Sequence, residues 1–288
     1  MTDPAVPERP PVSDYETWRC YRHPERAGSV RCRRCERPVC PDCMIAADVG
    51  FQCPECAKRS PGVRTLRSLK RNPYVTYAVI GICALVFLPS LGGGAAVASR
   101  GELDLARELA LNAPEVDAGE WWRLVTSGFV HYGLIHIAFN MIVLYQFGSM
   151  LETGLGRMRF GALYLAALLG GAVGALLLDP FALTAGASGA VYGLLGATVI
   201  GMRRRGVDIM RSGVGTMLLI NLAITFVIPG ISIGGHLGGL AAGGAAGVIL
   251  FATEDTPRDR MLGGLAVAAL AVVLAAAGLY VAANPNLV

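Results

Sequence analysis

Seven stretches of this chain are apolar over a length that approaches or exceeds the thickness of a bilayer. They are residues 74–91, 129–151, 160–178, 182–202, 213–228, 231–252 and 262–283. A helix needs about 20 apolar residues to cross the hydrocarbon core. The fifth run is short, and Pro229-Gly230 joins it tightly to the sixth. The expected fold class is therefore an all-α polytopic membrane protein. Only 16% of the residues are charged, against roughly 25% in soluble domains, so a soluble enzyme is a poor fit.

Loop charges set an expected orientation. Arg157 and Arg159 follow the second run, Arg203, Arg204, Arg205 and Arg211 the fourth, and Arg258 and Arg260 the sixth. The loops after the third and fifth runs carry no Lys or Arg. The positive-inside rule then predicts a cytosolic N-terminus and an external C-terminus in the cell membrane. The long segment 92–123 falls outside, is rich in acidic residues, and ends in Trp121-Trp122-Arg123, which suits the headgroup level.

The first 72 residues differ in kind. They hold 14 Lys/Arg and 9 Asp/Glu. Seven of the eight cysteines lie between Cys20 and Cys56, with Cys83 alone in an apolar run. No signal peptide is expected, because the first 30 residues lack an apolar core with a small-residue cleavage site. The pattern is four ligand pairs, each with two residues between partners: Cys20/His23, Cys32/Cys35, Cys40/Cys43 and Cys53/Cys56. Such pairs place two ligands on one tetrahedral ion, so four pairs predict two structural zinc sites. Only four residues separate the second pair from the third, which favours interleaving, pairs one and three on one ion and two and four on the other. Sequential pairing is the rival. Aliphatic residues are few here, so bound metal would supply much of the folding energy. The spacing resembles the B-box type of small zinc finger, which implies a binding module and a possible cytosolic protein partner. The expected layout is a disordered tail over 1–19, a zinc-binding module over 20–57 and a basic linker over 58–73. The linker reads as a positive flank against anionic lipid, with no nucleic acid expected as partner.

Polar side chains inside spans are costly and are functional candidates by default. The ionisable ones within these runs are essentially His131, His136 and His236, with Asn140 and Asn221 adding amides and Ser188 lying in Gly186-Ala187-Ser188-Gly189. Gly186 and its small neighbours should break the fourth run, so that its helix begins near Ser188. At 1.5 Å per residue, Ser188 stands about 22 Å from the cytosolic Arg203, His236 about 27 Å from Glu254, His136 about 24 Å and Asn140 about 18 Å from Glu152. The four polar groups thus share one layer in the outer half of the membrane. Gly189 and Gly193 on the fourth run, and Gly235, Gly239 and Gly243 on the sixth, recur every four residues and let two backbones pack closely. Close packing would bring the Ser188 hydroxyl to the His236 imidazole, as nucleophile and base. No buried carboxylate is available to orient His236, so a Ser-His dyad is expected. Tyr192, one turn after Ser188, can hold the imidazole ring. An oxyanion needs waiting donors; the backbone at the helix start, His136 and Asn140 are the candidates. Polar His131 and the Gly-rich approach suggest a cavity that admits water from outside. The α/β-hydrolase elbow G-x-S-x-G is not matched, since residue 190 is Ala.

Together these residues resemble the rhomboid family of intramembrane serine proteases. The resemblance covers about residues 74–252. It is carried by Trp122-Arg123, His131, the run His136-Ile137-Ala138-Phe139-Asn140, Glu152, Gly156-Arg157, Gly186-Ala187-Ser188-Gly189, Tyr192 and Gly235-His236-Leu237-Gly238-Gly239. It implies a six-helix core with a seventh transmembrane helix following over 253–288. It also implies Ser188 as nucleophile, His236 as base, His136 and Asn140 as oxyanion donors, and single-span membrane proteins as substrates. The protease chemistry then needs no cofactor. Two rival readings are an inactive relative serving as a membrane chaperone or trafficking factor, which should lack Ser188 or His236, and a transporter with a zinc head, for which no internal repeat is visible.

Overall fold

A computed structural model describes residues 18–47, 50–59, 72–89 and 107–287. Most of the expected N-terminal tail, most of the basic linker and the early part of segment 92–123 lie outside the described residues. The chain forms two compact units, Met1–Lys70 and Arg71–Val288.

The first unit is built from two short hairpins and one helical turn and a half. Strand β1 (Val30–Arg31) pairs antiparallel with β2 (Pro38–Val39), and β3 (Ile45–Ala46) with β4 (Phe51–Gln52), followed by α1 (Pro54–Arg59). Its buried centre consists of Cys20, Cys32, Cys40, Cys43, Cys53 and Val39. A core of one valine and a set of thiols cannot offset the chain entropy lost on folding, so the sulfurs have to be used for something stronger than packing.

The second unit is all-helical. Its helices are α2 (Tyr74–Phe87), α3 (Ala113–Asp117), α4 (Arg123–Thr126), α5 (Leu134–Leu155), α6 (Arg157–Leu178), α7 (Ser188–Arg204), α8 (Val214–Val227), α9 (Ile233–Ala252) and α10 (Pro257–Ala282). Seven of these correspond to the seven apolar runs. Among the described residues, α5, α6, α9 and α10 are long and apolar enough to cross a membrane, while α2 and α8 are shorter apolar helices. This is a multi-pass membrane protein.

Local chemistry explains the helix limits. Gly156, at φ +85°, ends α5 and starts α6, a backbone conformation that favours glycine. Ser232 caps α9 by accepting from the Gly235 N–H at 3.1 Å. Thr256 and Asp259 form a capping box around Pro257, which starts α10 five residues before the apolar run suggested. Glu152, only 2% exposed, reaches from α5 to the start of α2, where it accepts from the Val75 and Thr76 N–H groups at 2.9 and 2.8 Å and from Thr76 Oγ1 at 2.8 Å. A carboxylate there satisfies orphan donors that hydrocarbon would leave unpaired. Arg123 is buried and donates to the Arg107 and Ala110 carbonyls at 2.7 and 2.8 Å and to Glu120 at 2.6 Å, tying the segment before α4 together.

The centre of the bundle is α6, α7 and α9. A Cβ built on Gly189 would stand 3.1 Å from the Gly235 carbonyl oxygen and 3.3 Å from Gly171 Cα. One on Gly243 would fall onto the backbone of Gly193. The two predicted glycine stripes therefore face each other. A third stripe, Gly170, Gly171 and Gly174 on α6, meets Gly234, Gly235 and Gly238 of α9, and Gly171 also touches Gly189 of α7, so the three helices pack at mutual backbone contact.

Candidate active site

The glycine contacts bring the starts of α7 and α9 together. Ser188 is the first residue of α7 and His236 the fourth of α9. Ser188 Oγ lies 2.8 Å from His236 Nε2, within reach for proton transfer. The Tyr192 ring stacks on the imidazole, with centroids 4.1 Å apart and planes inclined by 18°. On its other nitrogen, Nδ1, His236 meets the Thr225 hydroxyl of α8 at 2.7 Å. In the sequence, Asn221, one turn earlier, stands out as the polar residue of this run, and Thr225 does not. A threonine inside an apolar helix usually bonds its own backbone, and nothing in the sequence marks this one as different.

The turn before Ser188 is shaped by Gly186, at φ +129°. Its N–H donates to the Ser127 carbonyl at 2.9 Å, and the next N–H, of Ala187, donates to His131 Nε2 at 3.2 Å. His131 is 2% exposed, and its Nδ1 meets the Phe129 carbonyl at 3.3 Å. It is thus a buried clamp on the turn and does not line the cavity. The expectation that His131 opens a path to water is corrected: both of its ring nitrogens are spent on backbone.

His136 is placed differently. Its Nδ1 accepts from the Tyr132 N–H at 3.3 Å, which leaves the ring proton on Nε2. That nitrogen points at the space beside Gly186. A Cβ on Gly186 would lie 2.8 Å from His136 Nε2 and 3.7 Å from Ser188 Oγ. A side chain there would collide with the edge of the His136 ring, so glycine at this position lets His136 come close to Ser188. Asn140, one turn after His136, donates to the His136 carbonyl at 2.9 Å and faces the same cavity. No side chain caps the start of α7, so its first N–H groups are available to a bound oxygen.

These groups line a cavity of about 750 Å³. His136, Asn140, Ser188, Tyr192, Asn221 and His236 supply its polar wall, with Phe139, Val143, Ile224 and Ile228 among its apolar residues. A hydroxyl hydrogen-bonded to an imidazole, beside an unfilled space edged by an N–H donor, can attack a carbonyl and hold the oxyanion that results.

In the N-terminal unit the ligand pairs interleave: Cys20, His23, Cys40 and Cys43 converge in one cluster, and Cys32, Cys35, Cys53 and Cys56 in another. His23 Nδ1 stands 3.4, 3.5 and 3.9 Å from the sulfurs of Cys40, Cys43 and Cys20, and the Cys35 and Cys53 sulfurs are 3.7 Å apart. Ligands around a tetrahedral zinc at ordinary bond lengths stand about 3.5–3.8 Å apart, so both clusters fit such an ion. Burial opposes ionisation of Cys20, but backbone hydrogen bonds from Cys40, Arg22 and His23 outweigh it and bring the thiol down to about 6. Cys32 is brought to about 6 in the same way, by Cys53, Arg34 and Cys35. Each cluster thus holds one sulfur ready to ionise at neutral pH, the form that metal requires.

The rhomboid domain family matches residues 118–253. The chain is 33% identical over 214 residues to Rhomboid protease GluP of Bacillus subtilis (strain 168), covering 73% of this chain and 41% of that protein. It is 36% identical over 148 residues to RHOMBOID-like protein 5 of Arabidopsis thaliana, covering 49% and 48%. With Rhomboid-type serine protease 2 of Emericella nidulans it shares 28% over 230 residues, 77% and 44% of the two chains. The chain spans less than half the length of each of these three relatives. Residues 118–253 are a rhomboid domain, and through it the chain belongs to the rhomboid family.

Proposed function

We propose that this protein is an intramembrane serine endopeptidase that cuts transmembrane segments through a Ser188–His236 dyad. The observation that carries the reading is the 2.8 Å contact between Ser188 Oγ and His236 Nε2 on the wall of the cavity between the helices. Two of the relatives are named as proteases, which supports the same chemistry here.

In this mechanism His236 Nε2 takes the Ser188 proton as Oγ attacks the scissile carbonyl. The tetrahedral oxyanion settles beside Gly186, where His136 Nε2–H, the Asn140 amide and the backbone N–H groups at the start of α7 can donate to it. His236 then returns the proton to the leaving amine, and water, activated by the same imidazole, hydrolyses the acyl-enzyme. Tyr192 keeps the ring in plane, Gly186 keeps the oxyanion space open, and Gly189 keeps α7 against α9. Substrates are single-span membrane proteins entering from the bilayer, with the cut in the outer half of the membrane. The N-terminus is cytosolic and the C-terminus external. The reading divides the chain into a tail over 1–19, a module over 20–57, a linker over 58–73, the protease core over 74–252 and the last span over 253–288. The cytosolic module holds two zinc ions whose role is structural, on Cys20, His23, Cys40 and Cys43 and on Cys32, Cys35, Cys53 and Cys56, and offers a surface for a cytosolic partner.

The test is a fluorophosphonate probe applied to the purified full chain in detergent, with the labelled residue mapped by mass spectrometry. Labelling at Ser188 that is lost in His236→Ala is expected. Folded protein that takes no label would refute the dyad and leave the family's inactive members as the better comparison.

A further inference from the structure

Thr225 is a buried polar side chain in direct contact with His236, and the proposed reaction gives it no task. Of the fourteen residues of α8, only Gly215 and Thr225 are buried, and Thr225 is 1% exposed. Its hydroxyl oxygen has three polar neighbours: the Asn221 carbonyl at 2.9 Å, the Tyr192 hydroxyl at 2.7 Å and His236 Nδ1 at 2.7 Å. A hydroxyl owns one hydrogen and two lone pairs. A carbonyl can only accept, so the Thr225 hydrogen goes to Asn221. The two lone pairs then receive the Tyr192 O–H and the His236 Nδ1–H. With that assignment every donor and acceptor in the set is used. It also leaves His236 a single tautomer, with the proton on Nδ1 and the lone pair on Nε2, the nitrogen that faces Ser188.

We propose that Thr225 is a positioning residue that fixes the tautomer and rotation of His236 from behind, the place a carboxylate takes in a Ser-His-Asp triad. The inference rests on the Ser188–His236 reading. A neutral hydroxyl cannot stabilise the imidazolium by charge, so its contribution is orientation: it holds the basic nitrogen toward the serine before substrate arrives. One oxygen serves both supports of the ring. Tyr192 stacks on the imidazole and is itself held by Thr225, so ring plane and ring rotation share one reference point. The simpler account, a helix threonine bonded back to its own turn, uses only the Asn221 contact and makes no demand on His236.

The test uses the full chain in detergent with ring-labelled (¹³C, ¹⁵N) histidine. The chain has four histidines, so the His236 ring signals are assigned by their loss in His236→Ala. The wild type is expected to carry the ring proton on Nδ1, and Thr225→Ser to match it. Thr225→Val should move the proton toward Nε2 and slow fluorophosphonate labelling of Ser188 by about tenfold or more, the scale of a buried hydrogen bond left unmade. Thr225→Ser should label within about twofold of wild type by the same reasoning. A wild-type His236 protonated on Nε2, or a folded Thr225→Val with unchanged tautomer and labelling rate, overturns the proposal. Should Thr225→Val fail to fold, the wild-type tautomer and the Thr225→Ser rate still decide it. A wild type that never labels at Ser188 sinks the dyad itself, an outcome distinct from a normally labelled wild type that is indifferent to Thr225.

Discussion

Substituting Gly239 by alanine should separate the dyad without touching either member. An added Cβ lands on the Gly189 carbonyl group and stands 2.6 Å from its carbon, where ordinary contact begins near 3.4 Å. The shortfall, at least about 0.8 Å at that carbon and larger at the carbonyl oxygen, has to be met by α7 and α9 moving apart, because a Cβ meeting backbone has no rotamer that can relieve it. Retreat is itself constrained, since α9 is also in backbone contact with Gly170 and Gly174 of α6. Gly189 follows Ser188 directly and Gly239 lies one turn from His236, so most of the displacement reaches the dyad. A 2.8 Å hydrogen bond lengthened by that amount reaches about 3.6 Å and ceases to be one. General-base assistance is worth roughly 10²–10⁴ in rate, so fluorophosphonate labelling of Ser188 should fall by about a hundredfold or more. The control lies on the same helix: a Cβ on Gly244 meets nothing within 4 Å, and Gly244→Ala should label at the wild-type rate with equal or better stability. Folded Gly239→Ala that labels normally would show that backbone closeness does not set the Ser–His contact.

Two further outcomes follow from the structural residues. The purified protein should contain two zinc ions per chain by atomic emission, Cys32→Ser should lower the count by one, and acidification should release both, because protons compete with metal for the same sulfurs and nitrogen; one ion, or none, in freshly purified protein would contradict the two clusters. Glu152→Gln keeps the shape of the side chain but replaces one acceptor oxygen by a donor facing the Val75 and Thr76 N–H groups. That should cost about 1–3 kcal/mol, read as a lower melting temperature in detergent, and unchanged melting would show that α2 is held elsewhere.

Much of the architecture was open to reading because hydrocarbon restricts what a chain may do. The apolar runs located the spans, and small residues before Ser188 located the start of α7 to the residue. Boundaries shifted where capping overrode hydropathy. The second run was expected from 129, yet its helix starts at Leu134, because Gly133 at φ +80° precedes it and His131 is needed as a clamp. The last helix starts at Pro257 because Thr256 and Asp259 cap it, a signal present in the sequence that hydropathy alone ignores. Gly170 and Gly174 of α6 also recur four residues apart, but spacing alone does not say which helix such a stripe meets. The four-residue separation of the second and third ligand pairs favours interleaving over sequential pairing, and the two clusters in the fold interleave.

What depth and residue type could not divide was the labour between His131 and His136. Both are histidines at or just before the start of α5, and their rings meet edge to face at 5.1 Å. One N–H group decides each case. Ala187 donates to His131 Nε2, so that imidazole spends itself on the turn that presents Ser188. Tyr132 donates to His136 Nδ1, so its remaining proton faces the space that Gly186 leaves empty. The same rule assigns His236, whose Nδ1 meets Thr225 and whose Nε2 therefore faces the serine as an acceptor. In the proposed mechanism three imidazoles of one chemistry thus take the roles of clamp, donor and base from the backbone or hydroxyl group that occupies one of their two nitrogens. Those partners lie 56, 4 and 11 residues away in sequence, and only the folded backbone brings each to its ring.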